Sequence, residues 1–347
     1  MRETALTSLG SARAAWIRLR TRYPRLRWIE RWGISVASIL SGLGTLFVFR
    51  RGLEYFPWFV GYLLLLWLAG VLFAQTRRAL AARDGRVLWR VVDYTIQTLL
   101  HGLLLFLLPI YYASTTLLSR NVWFLVLLVA AVILTTVDPW YRAVRRWVRS
   151  LELTLVAFSL FASLNVAFPL IGLRSTWAVL LSGFGSLMAL TPVLRRGPEV
   201  PWRAAALRAG LSGLIVAACL WWVRDWIPPA PLSLVRGTFA ESVARLEPIQ
   251  PVRTISSQEL RSWGRLTAFT SVAAPAGLQE PISHVWEKDG RVVARMPLAV
   301  LRGGRPGGFR SYSWKQDLGA DPAGVWRVEV RTASDQLVGR IRLTVTP

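Results

Sequence analysis

Lysine is almost missing from this chain: only Lys288 and Lys315 stand among 42 basic residues in a length of 347. A phosphate loop of the G-x-x-x-x-G-K-[ST] type needs a lysine in a glycine frame, and neither position supplies it. Histidine is as scarce, with His101 and His284 alone. There is no H-E-x-x-H pair, and the two imidazoles fall in segments of different character, so a multi-histidine metal site within one chain is excluded. Cys219 is the only cysteine. That excludes an intramolecular disulfide and a thiolate cluster. A Ser/His/Asp arrangement would have to use His284, but no G-x-S-x-G elbow precedes it. No motif calls for a cofactor, and none identifies an enzyme.

Charge is also short. Charged residues make up 18% of the chain, where soluble proteins carry about 25%, and mean hydropathy is +0.40 with 53% hydrophobic residues and 18 Trp. A bilayer therefore forms part of the solvent. The net charge of +23 suggests nucleic acid at first sight. Its distribution argues against that partner. Residues 1–231 hold 26 Arg against 9 acids, and the arginines lie between apolar runs rather than along one face.

Crossing about 30 Å of hydrocarbon takes ~20 apolar residues. Seven stretches qualify or nearly so: 33–49, 55–75, 91–112, 121–138, 152–172, 176–194 and 204–227, the first and sixth being short. Trp and Tyr gather at their ends, as in Tyr111-Tyr112, Trp140-Tyr141 and Trp221-Trp222, where amphipathic rings favour the headgroup zone. With the N-terminus inside, the inner segments carry 21 Arg and the outer loops 4 (Arg50, Arg51, Arg120, Arg174). Every loop agrees, and an odd number of crossings exports the C-terminus. The basic N-terminal arm of 32 residues is too long for a signal-peptide n-region and no small-x-small site follows the first run, so a retained anchor is expected.

Pro228-Pro229-Ala230-Pro231 ends the last apolar run, and the texture then changes to frequent charge and period-two alternation. In Val325–Thr332, Trp326, Val328 and Val330 face one way, while Arg327, Glu329 and Arg331 are expected to face water. Residues 337–346 continue the pattern after a Ser334-Asp335 turn. Asp289-Gly290 between two alternating runs marks a tight hairpin. Further strands are expected at 238–246, 264–273, 293–300 and 308–315. Short strands with turns every 8–12 residues suggest an antiparallel, immunoglobulin-like sandwich. The expected organisation is a cytoplasmic basic arm (1–32), a seven-helix membrane domain (33–227), a Pro-rich linker (228–236) and a periplasmic β-sandwich (237–347) in a bacterial inner membrane.

Three motifs carry a resemblance. Pro281-Ile282-Ser283-His284-Val285-Trp286-Glu287-Lys288-Asp289-Gly290, Gly308-Phe309-Arg310-Ser311-Tyr312-Ser313-Trp314-Lys315, and Gly324-Val325-Trp326-Arg327-Val328-Glu329-Val330 followed by Gly339 resemble the bacterial domain of unknown function 2914 over about 238–347. Leu108-Pro109-Ile110-Tyr111-Tyr112-Ala113-Ser114 and Asp138-Pro139-Trp140-Tyr141 are similar to the helical region catalogued as domain of unknown function 5924. The resemblance implies an architecture and no activity.

Ionisable groups within a bilayer are costly and are weighed singly. Asp93, Gln97 and His101 recur at four-residue spacing and share a helix face. They suit either a proton or substrate path or an interhelical hydrogen-bond stripe. Asp138, before Pro139, suits a helix terminus at the inner interface. Glu152 complements the dipole of the helix it opens, and the Gly183-x-Gly185 and Gly210-x-x-Gly213 pairs suit close helix packing. In the exported domain, Ile282, His284 and Trp286 share a strand face that is either core or binding site. The binding alternative joins His284 and Trp286 to Arg305, Arg310, Ser313 and Lys315, where glycines admit a ligand and basic groups attract an anion. The domain's net charge is only +6, from 16 basic and 10 acidic residues. The reading that follows is an envelope binding protein whose sandwich recognises an anionic lipid, glycan or partner protein. The alternative is a membrane-embedded transporter or enzyme using Asp93, Gln97 and His101.

Overall fold

The computed structural model describes residues 86–148, 150–195 and 199–347, with the side chains of 86–95 and Asp138 outside the description. The basic arm and the apolar runs at 33–49 and 55–75 lie outside the described residues. The remaining five runs all become helices. Helix α1 (Arg86–Ala113) and α2 (Val122–Thr136) are joined by a loop. α2 ends where Pro139 cannot continue it, and α3 (Asp138–Trp147) turns away as a short amphipathic helix with Arg145 and Arg146 in its last turn. α4 (Leu151–Leu170) opens with Glu152, which pairs with Arg145 at 3.2 Å. α5 (Ser175–Ala189) breaks before the one-turn α6 (Thr191–Leu194), and α7 (Trp202–Trp222) follows. Among the described residues three helices are long and apolar enough to cross a membrane: Ile96–Ser114, which runs one residue past α1, Leu151–Leu170 and Trp202–Trp222. At 15 residues, α5 reaches about 22 Å at 1.5 Å per residue.

The helices close on one another through Leu100, Leu103, Leu104, Leu107, Tyr111, Leu128, Leu160 and Val166. Small residues set the α5–α7 crossing. A Cβ at Gly213 would stand 3.1 Å from the Phe184 carbonyl oxygen and 3.3 Å from its Cα, so backbone meets backbone there. The far side of α7 is apolar and exposed at Leu207, Leu211, Leu214 and Ile215, as a helix facing lipid would be.

A 3-10 turn (Arg224–Trp226) and the proline segment lead into an all-β domain. Its strands are β1 (Ser233–Ala244), β2 (Glu247–Val252), β3 (Thr254–Ser256), β4 (Leu266–Ala273), β5 (Gln279–Glu280), β6 (Ile282–Lys288), β7 (Arg291–Pro297), β8 (Leu301–Arg302), β9 (Phe309–Lys315), β10 (Gly324–Thr332) and β11 (Leu337–Thr346), with the short helix α8 (Ser257–Trp263) after β3. Two main sheets form, ordered β2-β1-β4-β9 and β3-β11-β10-β6-β7. Their pairs are antiparallel except β3 with β11, and β5 pairs with β8 in a separate two-stranded ribbon. Phe239, Trp286 and Trp326 stack edge to face between the sheets, with ring centroids 5.8 and 6.4 Å apart.

The expected hairpin is present. Asp289 and Gly290 take φ of +49° and +81°, the left-handed pair a two-residue turn requires. One facing expectation is overturned. Glu329 does not face water: it is 1% exposed on the outer face of its sheet, held between arginines at the edge of a cleft that the helical region lines on its other side. Arg331 and Arg340 grip both of its oxygens, with Arg331 at 2.6 Å and Arg340 at 2.5 Å. Alternation correctly puts Glu329 opposite Trp326 and Val328. What it cannot show is that two neighbouring arginines close over that carboxylate.

Candidate functional site

On β6, Ile282, His284 and Trp286 all point between the sheets and are buried. Thr270 on β4 and Ser311 and Ser313 on β9 face them. His284 Nε2 lies 2.8 Å from Thr270 Oγ1, and Nδ1 lies 2.8 Å from Ser313 Oγ. Trp286 Nε1 donates to Ser313 Oγ at 2.9 Å, and the Thr270 and Ser311 hydroxyls are 3.1 Å apart. These bonds are mutually consistent for a neutral imidazole: the Ser313 hydroxyl donates to Nδ1, and Nε2–H donates to Thr270. Burial lowers the His284 pKa to about 3. The cluster ties three strands across the core, and its groups satisfy one another.

Arg305, Arg310 and Lys315 do not join that cluster. Along β9, Ser311 and Ser313 point inward, while Arg310, Tyr312 and Trp314 point outward. Arg310 pairs with Glu247 at 2.6 Å, and Arg305 lies over the Phe309 ring at 5.1 Å. Tyr312 and Trp314 stack on each other, with centroids 5.9 Å apart and planes 27° apart, yet remain 39% and 49% exposed. β9 is an edge strand of its sheet. The expected set of six thus splits into a core triad (His284, Trp286, Ser313), the exposed Arg305 and Arg310 on the surface to which Tyr312 and Trp314 belong, and Lys315, half-buried at the end of β9 in phase with Ser313. The aromatic pair was legible as i, i+2 spacing on a strand, but only in company with Arg310.

In the helices, Asp93 lies on α1 and Asp138 opens α3, with both side chains outside the description. Gln97 Nε2 donates to the Thr135 carbonyl at 2.9 Å. His101 is buried, with Nδ1 2.9 Å from Thr136 Oγ1 and 3.4 Å from Thr135 Oγ1. Gln97 and His101 therefore both engage the last turn of α2. Farther along the bundle, Tyr111 donates to the Ala162 carbonyl and accepts from Asn165, joining α1 to α4.

The two regions meet along a polar seam that the sequence reading missed. Asn121 Nδ2 donates to the Leu337 carbonyl, Gln336 Nε2 to the Ile227 carbonyl and Arg224 Nε to the Ser334 carbonyl, at 3.2, 3.0 and 2.9 Å. Glu280 on β5 is fully buried, and its Oε2 accepts the backbone N–H of Ser175 at the start of α5 at 2.8 Å. The helix's positive end favours that carboxylate. Burial nonetheless raises its pKa, against the opposing pull of Ser175 and Arg174. Its other oxygen, Oε1, has no hydrogen-bond partner among the described residues.

Among the described residues, no three His, Cys, Asp or Glu side chains gather as a metal ion would need. The fold is that of a helical bundle with membrane-length apolar helices carrying a seated, sandwich-like β-domain. The chain belongs to the family of unknown function DUF5924, which matches residues 11–267, and residues 279–345 match the protein of unknown function DUF2914. The first match runs through β1, β2, β3 and α8 into the start of β4, and the second covers β5 to β11. Both main sheets therefore draw strands from both matched segments. No curated protein matches the chain.

Proposed function

We propose that this is a multi-pass protein of a bacterial inner membrane whose seven helices hold an immunoglobulin-like β-domain on the periplasmic side. That domain binds an anionic envelope component through the β9 strip. In this reading residues 1–32 are cytoplasmic, 33–227 form the membrane domain, 228–236 link, and 237–347 form the exported domain. The observation that carries the binding role is the stacked Tyr312–Trp314 pair, flanked by Arg310 and Lys315 on an edge strand. Stacked rings left in water forgo burial worth about 25 cal/mol per Å². A glycan or an apolar partner segment would cover their faces, and Arg310 would supply a planar fork for carboxylate or phosphate. The strip lies on the four-stranded sheet, whereas the seam uses the β10–β11 turn and outer face of the other sheet together with the β5–β8 ribbon, which leaves Tyr312 and Trp314 exposed with the domain docked.

The transporter alternative draws less support. Gln97 and His101 spend hydrogen bonds on Thr135 and Thr136, the arrangement of a stripe that sets helix register.

The test is retention of anionic envelope polymers by full-length protein in detergent, compared between the wild type and a Tyr312→Ala/Trp314→Ala pair. The reading expects retention to drop at least tenfold without a change in melting temperature. Equal retention by the pair would remove the strip from the account.

A further inference from the structure

A cleft of about 580 Å³ lies at the seam between the α1–α2 loop, the 3-10 turn and the outer face of the β10–β11 sheet. We propose that it seats the headgroup of an aminophospholipid of the phosphatidylethanolamine type. The inference rests on the reading that α2 passes through the bilayer with its start at the outer surface.

Position supplies the first argument. Leu118 and Trp123 form the lip and are 94% and 60% exposed. Trp123 heads an exposed apolar stripe on α2 through Val126, Leu127 and Ile133, spaced as one helix face. A lipid whose acyl chains run along that stripe brings its headgroup to the cleft mouth, where an indole is most at home.

Charge supplies the second. The cleft is lined by Arg120, Arg331 and Arg340 and by Asp225, Glu287, Glu329 and Asp335. Most of these are already committed. Glu329 holds Arg331 and Arg340, and Asp335 holds Arg295 at 2.8 Å. Arg120 touches Asp225 through one contact at 3.2 Å and is 74% exposed, so most of its donors face outward. The Glu287 side chain lines the cleft and makes no ion pair or hydrogen bond among the described residues. What is left for a ligand is the Glu287 carboxylate and the outward donors of Arg120 that Asp225 does not take. An anionic headgroup would meet Arg120 but be repelled by Glu287. A primary ammonium beside a phosphate answers both, and unlike a quaternary ammonium it can donate hydrogen bonds to Glu287.

The experiment titrates detergent-solubilised full-length protein with short-chain phosphatidylethanolamine, phosphatidylglycerol or phosphatidylcholine, and with soluble glycerophosphoethanolamine, following Trp fluorescence on heating. Phosphatidylethanolamine is expected to raise Tm by about 5 °C at saturating lipid, and the other lipids by much less. Glu287→Gln should keep the lipid-free Tm and lose the preference. An equal response to all three lipids, or a preference that survives in Glu287→Gln, overturns the proposal. Glycerophosphoethanolamine acting as strongly as the lipid overturns the lipid assignment. Alkaline carbonate washing of native membranes separates the premise: protein released by the wash defeats the membrane reading itself, whereas retained protein without the preference defeats only the headgroup site.

Discussion

At the residue scale, two of the buried acid–base groups of the β-domain, His284 and Glu280, pull stability in opposite directions. His284 has a folded pKa of about 3 against 6.5 in the unfolded chain, so the folded state binds fewer protons between those values. Its contribution is complete above pH 6.5 and falls away as pH drops towards 3, to a total of about 5 kcal/mol. Thermal melts of the full-length protein should therefore slope downward from pH 6.5 to 4.5, and His284→Leu should flatten that slope while lowering Tm at pH 7. A slope unchanged in His284→Leu would show that the imidazole is not the titrating group. Glu280 runs the other way. Its raised pKa means that its contribution is present at low pH and lost as pH rises through the folded value. Glu280→Gln, a neutral isostere, should leave stability at pH 7 equal or higher, whereas Glu280→Ala should lower it, since it leaves the Ser175 N–H without its acceptor. Glu329 differs again. Burial alone would raise its pKa, but Arg331 and Arg340 together hold it below the usual carboxylate range. Arg340→Met should then destabilise by on the order of 3 kcal/mol by leaving a buried carboxylate half compensated, measurable as a drop in Tm at pH 7.

At the scale of elements, local chemistry and periodicity identified much of the fold. The Asp289-Gly290 turn, the β10–β11 pair and the break at Pro139 follow from φ preferences and alternation that act over a few residues, whereas α7 stops at Trp222, ahead of the Pro228 expected to end it. Gly183 and Gly213 fit the same pattern, since small residues spaced along apolar helices mark close approach. Gly213→Leu should force α5 and α7 apart and cost about 2 kcal/mol, seen as a lower Tm in detergent. β2, β3 and α8 escaped because Glu247–Val252 and Thr254–Ser256 do not alternate, and α8 is only seven residues with a Ser256 cap and Gly264 stop. The candidate site fared less well. Alternation put His284 and Trp286 on one strand face but could not say that Thr270 and Ser313 on facing strands would satisfy the imidazole. It does set Arg310 on the side of β9 opposite Ser313, while Lys315, two residues beyond Ser313, falls on the Ser313 side at the strand's end.

At the scale of the whole molecule, the seam changes what the β-domain is. A tethered domain would be free to move on its proline linker, but Asn121, Gln336, Arg224 and Glu280 join it to three separate parts of the helical region. Sequence could not reveal this, because each of these side chains reaches a partner about 105 to 216 residues away. The family matches fit the same picture, since the boundary between them falls inside the β-domain rather than at the linker. Docking fixes which face is covered and which is offered. The charged outer face of β10 and β11 turns towards the helices and the cleft, while β9 with Tyr312 and Trp314 stays exposed.

The most direct test of the central claim, a β-domain held outside by membrane helices, is the sidedness of single cysteines in a Cys219→Ser background. Val292→Cys, on exposed β7, should react with a membrane-impermeant maleimide in cells whose outer membrane alone is permeabilised. Trp147→Cys, on exposed α3, should react only after the inner membrane is broken. Labelling of Trp147→Cys but not Val292→Cys in unbroken cells, or of both alike, would contradict the account.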